Sequence, residues 1–303
     1  MKILLLGASG VTGRSTLPQL IKDGHDVLAH SRSLDHLSDA ARLGATPIEG
    51  DAFDPTRLRG WLTGCDAVID LRVSIPGAAT AALPWSWRDY ARLRDDGCRA
   101  VVDAALQAGV PRVVRDTVTM VYTDGGDAWI DETRPTHATG ALAANLAAEA
   151  HLARLTAAGG AGVAIRFAGY YGPDDAFSRE CIRAARSGRA LIAGPPTGWT
   201  SAIHTDDVGS AVAAGLTAPA GVYNAVDDEP LRRDALLRLL ASSAAKPRLT
   251  PLPEWAARLA SAPVRSLARS HRVSNARLKA LGWAPSVASR RTGWPEAFAA
   301  TPS

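Results

Sequence analysis

The 303-residue sequence predicts an α/β fold: a doubly wound parallel sheet with a smaller α/β lobe at its C-terminal end. Three observations predict it. Ile3, Leu4, Leu5 and Leu6 form a short apolar run that fits a strand buried on both faces. Gly7, Gly10 and Gly13 follow at three-residue spacing, and Leu17, Leu20 and Ile21 then recur at helical spacing. Beyond this opening, short apolar runs alternate with helical stretches up to residue 172, the alternation of a parallel sheet.

The glycine spacing is GxxGxxG. Residues without a Cβ let the backbone approach a pyrophosphate, and a helix start supplies N–H groups and a positive dipole to hold it. Gly7, Ser9, Gly10, Val11, Thr12, Gly13 and Arg14 are therefore the expected cradle. A second strand is expected over residues 26–30. An acidic residue at its end would hydrogen-bond an adenosine ribose 2′-OH and favour NAD, but the chain offers His30, Ser31 and Arg32. Arg32 with Arg14 suits a clamp on a 2′-phosphate, so NADP(H) is the preferred cofactor, with Asp35 keeping NAD(H) open. A third strand over 45–49 leads to Asp51 and Ala52, where an adenine amino group would lie, and Asp54 before Pro55 reads as a helix N-cap. A fourth strand over 65–71 brings Leu71, Arg72 and Val73 to the cofactor crevice.

Residues 75–90, with Trp85 and Trp87, read as an irregular insertion covering a site. A helix over 91–108 stops at Gly109 and Pro111. A fifth strand within 112–122 ends at Asp116, Thr117 and Thr119, with Tyr122 just beyond. An alanine-rich helix over 141–158 precedes a sixth strand over 162–167 that leads to Tyr170 and Tyr171. Later helices are expected over 177–187, 206–216 and 232–243, with strands near 190–192, 201–203 and 221–226. Residues 1–172 form the expected nucleotide-binding part. Residues 173–303 form the smaller, interleaved lobe, with the substrate pocket between the two.

Hydrophobic residues make up 47% and charged residues 21%, ordinary for a globular protein. The net charge of +4 is carried by arginines scattered among acids, with lysine only at Lys2, Lys22, Lys246 and Lys279, which argues against nucleic acid as partner. No apolar run is long enough to span a membrane. The opening run is only a strand long and goes straight into the glycine turn, so no signal peptide is expected, and the cytoplasm is the expected location. Cys65, Cys98 and Cys181 are odd in number and lack metal-ligand spacing, so buried thiols and no metal are expected. The expected partner is a small-molecule substrate, and a homodimer stays open.

Seven segments lie in order between Met1 and Trp294: GASGVTGR, EGDAFDP, GVPRVVRDTVTMVY, AIRFAGYYGP, SAIHTDDVGSAV, GVYNAVDDEPL and VSNARLKALGW. Together they resemble the extended short-chain dehydrogenase/reductase family, the epimerase/dehydratase group, with its Rossmann-like sheet. The resemblance implies hydride transfer to or from NAD(P), assisted by a Ser or Thr and by the Tyr and Lys of a YxxxK helix. In that pair the lysine lowers the tyrosine pKa and the tyrosine moves the substrate proton. Setting NLAAEA against the family's KLAAE puts the tyrosine position at Ala141 and the lysine position at Asn145. No lysine lies between Lys22 and Lys246 and no tyrosine between Tyr122 and Tyr170, while the usual serine falls near Val118, flanked by Thr117 and Thr119. The chain is thus identified as an atypical member.

NADP(H)-dependent reduction of a carbonyl or activated double bond in a small organic substrate is the leading expectation, with specialised biosynthesis as the setting by analogy. A non-redox cyclase, dehydratase or isomerase, and a non-enzymatic NADP(H) sensor, are the alternatives. Candidates for the missing chemistry each carry a structural alternative. Thr117 or Thr119 can bond a substrate oxygen or the local backbone. Asp116 can serve as a base or pair with Arg115 or Arg112. Tyr122 can be a displaced proton donor or core aromatic. Tyr170 or Tyr171 can line the nicotinamide pocket. His204 titrates in a useful range but matches a structural histidine of the family, and His137 is an outside candidate for acid–base work. Trp199 reads as pocket wall or core.

Overall fold

The computed structural model describes residues 1–77, 79–253, 255 and 259–301. The first half of the chain runs β1 (Lys2–Leu6), α1 (Val11–Lys22), β2 (Asp26–Ser31), α2 (Ser38–Arg42), β3 (Thr46–Glu49), α3 (Pro55–Leu62) and β4 (Ala67–Asp70). It continues through α4 (Arg88–Arg94), α5 (Asp96–Ala108), β5 (Arg112–Val118), β6 (Trp129–Ile130), α6 (Ala143–Ala157) and β7 (Ala161–Phe167). Then come β8 (Gly169–Tyr171), α7 (Ala176–Arg186), β9 (Arg189–Ala190), β10 (Trp199–Thr200), β11 (Ala202–His204), α8 (Thr205–Ala214) and β12 (Gly221–Ala225). The last part holds β13 (Leu231–Arg232), α9 (Arg233–Ser243), β14 (Thr250–Pro251), β15 (Arg272–Val273) and a C-terminal helix, Arg290–Ala300.

Seven parallel strands form the main sheet in the order β12-β7-β5-β4-β1-β2-β3. The order reverses between β1 and β4, which opens a crevice at the carboxyl ends of these strands. Alternation along each strand sends side chains to two buried layers. Ile3, Leu5, Ile69 and Val114 pack with Leu17 of α1 and Val208 and Val212 of α8. Leu4, Leu6, Val68 and Val113 pack with Leu58 of α3, Val101 and Val102 of α5 and Leu152 of α6. Ser15 links α1 to α8 by donating to the Thr205 carbonyl at 2.8 Å and accepting from the Gly209 amide at 2.9 Å.

Residues after 173 enter both layers of structure. β12 is an edge strand of the main sheet and α8 covers one face of it. The remainder forms short pairs, β8 with β11, β9 with β14, β10 with β13 and β6 with β15. Around them, Ile182, Leu236, Leu240, Trp294 and Phe298 form a separate small core. Among the described residues no helix is long and apolar enough to cross a membrane.

Two expectations are corrected. The single helix over 91–108 is two, α4 and α5, which meet at Asp95 (φ −89°, ψ −76°); the Asp95 carboxylate takes a hydrogen bond from His151 Nε2 on α6 at 2.8 Å. The alanine-rich helix begins at Ala143, after a separate 3-10 turn at Gly140–Leu142 that contains Ala141. The insertion over 75–90, in which Ala78 lies outside the described residues, holds one 3-10 turn, Pro84–Trp87. Trp87 is buried and donates to the Ala81 carbonyl, whereas Trp85 is exposed.

Candidate dinucleotide site

The site starts where β1 ends. Gly7 takes a positive φ of 82°, and a Cβ there would meet the Leu71 carbonyl carbon at 2.9 Å. Gly13 is tighter, since a Cβ would stand 2.2 Å from the Gly7 oxygen and 2.7 Å from Ala8 Cα. The turn closes by the Gly10 amide bonding the Gly7 carbonyl at 3.0 Å. Gly10 caps α1 without a side-chain hydrogen bond, and the first turn carries no acid. A bare, positively polarised helix start therefore faces the crevice, as an anion such as a pyrophosphate requires.

The end of β2 is tied to this turn. Ala8 donates its amide to the His30 carbonyl at 3.1 Å, and Ser9 Oγ lies 3.2 Å from Ser31 Oγ. His30 donates from Nε2 to the Gly50 carbonyl at 2.9 Å, and burial lowers its pKa. A cleft of about 400 Å³ opens here, lined by Ser9, Arg14, Asp35, His36, Ser38 and Asp39. Arg14 donates to the Ser9 carbonyl. Arg32 is exposed and has no hydrogen bond or ion pair among the described residues. Asp51 is exposed and accepts the Phe53 amide at 2.9 Å, next to buried Ala52. Asp54 caps α3 as expected, accepting the Thr56 amide at 2.9 Å with Pro55 in the first turn.

The opposite end of the crevice is built from buried charges. Arg72 does not project into the crevice as expected. Its Nε and Nη2 donate to the two carboxylate oxygens of Asp70 at 2.8 and 2.9 Å, and Nη2 also reaches the Gly97 carbonyl at 3.0 Å. Arg115 completes the group, 2.5 Å from Asp70 Oδ2 with neither side chain exposed. Burial alone would raise the Asp70 carboxyl, but the two guanidiniums outweigh it and hold it down to about 2. Leu71 is buried between these groups and the glycine turn, and Val73 is half-buried.

Asp116 pairs with neither Arg115 nor Arg112. Its partner is Arg94 of α4, whose Nη2 donates to Asp116 Oδ2 at 2.8 Å and whose Nη1 donates to the Asp116 carbonyl. Both side chains are buried. Arg112 instead donates to the carbonyls of Gly215 and Ala218. Arg94 also lies over the Tyr90 ring, 5.3 Å from its centroid. Tyr90 in turn accepts a 2.9 Å hydrogen bond from Nδ2 of Asn145, the residue at the family's lysine position.

The other candidates are distributed as follows. Thr117 donates to Glu149 at 3.1 Å, and Glu149 holds Arg166 through two bonds of 2.7 and 2.6 Å. Tyr122 is wholly buried and donates to Asn224 at 2.8 Å, and burial raises its pKa. Thr119 is buried at the start of a 3-10 turn. Tyr171 stacks on Trp294 and meets His204 edge-on, with its hydroxyl raised well above normal by burial and by Asp227. His204 is the N-cap of α8, accepting the Asp206 amide at Nδ1. His137 is exposed, and Trp199 is held by Asp127 at 2.8 Å between Arg232 and Arg272. Tyr170 reaches the cradle itself: its hydroxyl lies 3.2 Å from Thr12 Oγ1 in the first turn of α1. Cys98 and Cys181 are free thiols pushed up to about 12 by burial. Sequence reasoning missed Arg94, Tyr90 and Glu149. The available signal was a strand, RVVRDTV, carrying charges that a buried position obliges to find partners.

Sheet, switch point and glycine cradle define a dinucleotide-binding α/β protein. Residues 7–166 match the family model described as NAD(P)H-binding, and the chain belongs to that family. It is 30% identical to a 3-diazoavenalumate denitrifying reductase of a Streptomyces species, over 97% of this chain and 99% of the relative. It is 29% identical to a 4-hydroxy-2-methyl-3-oxo-4-farnesyl-3,4-dihydroquinoline-1-oxide ketoreductase of Stigmatella aurantiaca, over 86% of this chain and 79% of that one. Among solved structures, a human epimerase family protein with NADPH superposes with a TM-score of 0.80 at 19% identity, covering 99% of both chains. The dTDP-glucose 4,6-dehydratase of Streptomyces venezuelae with NAD bound gives 0.79 at 18% identity, covering 99% of this chain and 96% of that one. These two share the fold of the extended short-chain dehydrogenase/reductases. The chain is an oxidoreductase-like member of an NAD(P)H-binding reductase family.

Proposed function

We propose that this protein is an NADP(H)-dependent reductase of a small organic electrophile whose reduction draws no proton from a Tyr–Lys pair. The observation that carries the reading is a crevice whose two ends differ. One end offers the glycine cradle and, just past β2, Arg32, which has no hydrogen bond or ion pair among the described residues. At the other, the positions of the pair hold Ala141 and Asn145, and Asn145 is committed to Tyr90.

Gly7 and Gly13, the uncapped start of α1 and Arg32 fit a 2′-phosphorylated dinucleotide. The bound nucleotide supplies hydride. This chain's residues hold the diphosphate at α1, neutralise the 2′-phosphate at Arg32 and exclude water with the buried layer of Leu71, Asp116 and Arg94. A general acid is worth about 10²–10⁴-fold where a proton must move, so its loss matters most for reactions that need one. Ketone reduction consumes a proton. An aryl diazonium does not: hydride forms the new C–H bond, the C–N bonding pair leaves with dinitrogen, and charge balances. A conjugated acceptor whose product leaves as a stabilised anion is also spared the proton. The diazo substrate and denitrifying reduction in the name of the Streptomyces relative support this class.

The test is to follow the near-ultraviolet absorbance of NADPH with an aryl diazonium, a quinone-like conjugated acceptor and a simple ketone. Oxidation with the first or second, one equivalent per product, is expected. Product without NADPH oxidation would replace the reading with a non-redox reaction, and tight nucleotide binding with no turnover of any class would leave a sensor.

A further inference from the structure

The strand order assigns a place to each half of a dinucleotide. β2 and β3 lie on one side of the glycine turn, β4, β5 and β7 on the other. With its adenosine over β2 and its diphosphate at α1, a dinucleotide must extend its second nucleoside over the ends of β4 and β5. Asp116, near the end of β5, and its partner Arg94 belong to that side of the turn, and both are buried.

This ion pair is incomplete. Asp116 Oδ1 and Arg94 Nε are both buried and neither has a hydrogen-bond partner. Such groups are costly unless something else satisfies them. Unpartnered buried carboxylate oxygens are rare here: among the described residues only Asp116 and Asp227 have them, and Asp227 belongs to the smaller lobe, 3.8 Å from Arg290 of the C-terminal helix. Asp116 also communicates with the cradle. The charges of Asp116 and Arg94 both act on the Tyr170 hydroxyl, which itself touches Thr12 at the start of α1.

We propose that Arg94 and Asp116 form a receptor for a primary carboxamide, that of the nicotinamide ring, with the amide nitrogen donating to Asp116 Oδ1 and Arg94 Nε donating to the amide oxygen. The assignment rests on the NADP(H) reading above and deepens it. A carboxamide presents one donor and one acceptor side by side and carries no charge, so it satisfies both free atoms and leaves the pair balanced. A carboxylate would face Asp116 and an ammonium would face Arg94, each with like charge. The contact orients the ring by its substituent in a crevice where Asn145 stands at the lysine position of the family pattern.

Equilibrium calorimetry on the full chain tests this with three probes: NADP, its 3-acetylpyridine analogue, in which a methyl ketone replaces the amide, and 2′,5′-ADP, which lacks the second nucleoside. The unaltered protein is expected to bind the analogue about tenfold more weakly than NADP, the scale of one charge-assisted hydrogen bond. The double variant Arg94→Met with Asp116→Leu, which strands neither charge, is expected to bind NADP as weakly as the analogue and 2′,5′-ADP as well as before. Equal affinity of the unaltered protein for NADP and the analogue, with 2′,5′-ADP still bound, overturns the carboxamide receptor and leaves the cofactor reading standing. Failure to bind 2′,5′-ADP and both dinucleotides removes the cofactor reading itself. Should the double variant not fold, the comparison on the unaltered protein decides alone.

Discussion

Replacing Arg32 by Asp separates NADP(H) from NAD(H) recognition with little structural interference. Arg32 is exposed and has no hydrogen bond or ion pair among the described residues, so stability should change by no more than about 0.5 kcal/mol. A guanidinium on a 2′-phosphate is a charge-assisted pair worth about 1.5–3 kcal/mol. At about 1.4 kcal/mol per decade that is roughly 10- to 150-fold in affinity. Aspartate also places a like charge against the phosphate, so the loss for NADPH should reach about 100-fold or more. NADH lacks the phosphate, and a carboxylate at this strand end accepts from a ribose hydroxyl, so its affinity should stay within about threefold or improve. Binding of both nucleotides, followed by quenching of tryptophan emission, gives the ratio directly. Repeating it at high salt should shrink the preference of the unaltered protein, because the Debye length falls from about 10 Å at 0.1 M to about 3 Å at 1 M. Equal losses for the two nucleotides, or none for either, would refute the phosphate clamp.

The remaining predictions concern the cradle, the missing pair and a buried acid. Gly13→Ala drives a Cβ to 2.2 Å from the Gly7 oxygen and should cost about 1–3 kcal/mol in denaturant unfolding and abolish dinucleotide binding, whereas Gly10→Ala, at 3.4 Å, should be tolerated in both measurements. Ala141→Tyr with Asn145→Lys should not raise native turnover and should lower the melting temperature, because a lysine replaces an amide that bonds Tyr90 and the Leu142 carbonyl; a protein inert until both are introduced would contradict the proton-independent reading. Burial raises the Asp227 carboxyl from 3.8 to about 7, so the folded state binds the proton more tightly, and stability is full below about pH 4 and declines as pH rises towards 7. At about 1.4 kcal/mol per pH unit the loss is at most about 4 kcal/mol, and Asp227→Asn should remove that slope; parallel melting curves for variant and parent across pH 4–8 would disprove it.

Local features were legible in the sequence because local chemistry determines them. The β1 run, the glycine turn and the Asp54–Pro55 helix start each depend on residues a few positions apart. Features decided at long range were not. A helical pattern runs unbroken through residue 95, yet the helix divides there, at a residue whose carboxylate is bonded by His151, 56 positions away. GVYNA reads as a strand, but nothing in those five residues says that it completes the main sheet beside β7.

The charged residues of the buried strands stand between these cases. Asp70 closes β4, and Arg115 and Asp116 lie near the end of β5. A parallel strand carries such a residue to the crevice whatever its partner, so the location follows from sequence and topology alone. Burial then calls for an opposite charge, which is why an ion pair stood beside the general-base reading of Asp116 before its partner was known. The partner itself is a tertiary fact. Arg72 turns back on Asp70 rather than facing the ligand, and Arg94 reaches Asp116 from 22 positions away across α5 and the intervening turn. After that pairing Asp116 keeps one oxygen without a hydrogen bond, and that spare acceptor capacity is what the proposed carboxamide contact would meet.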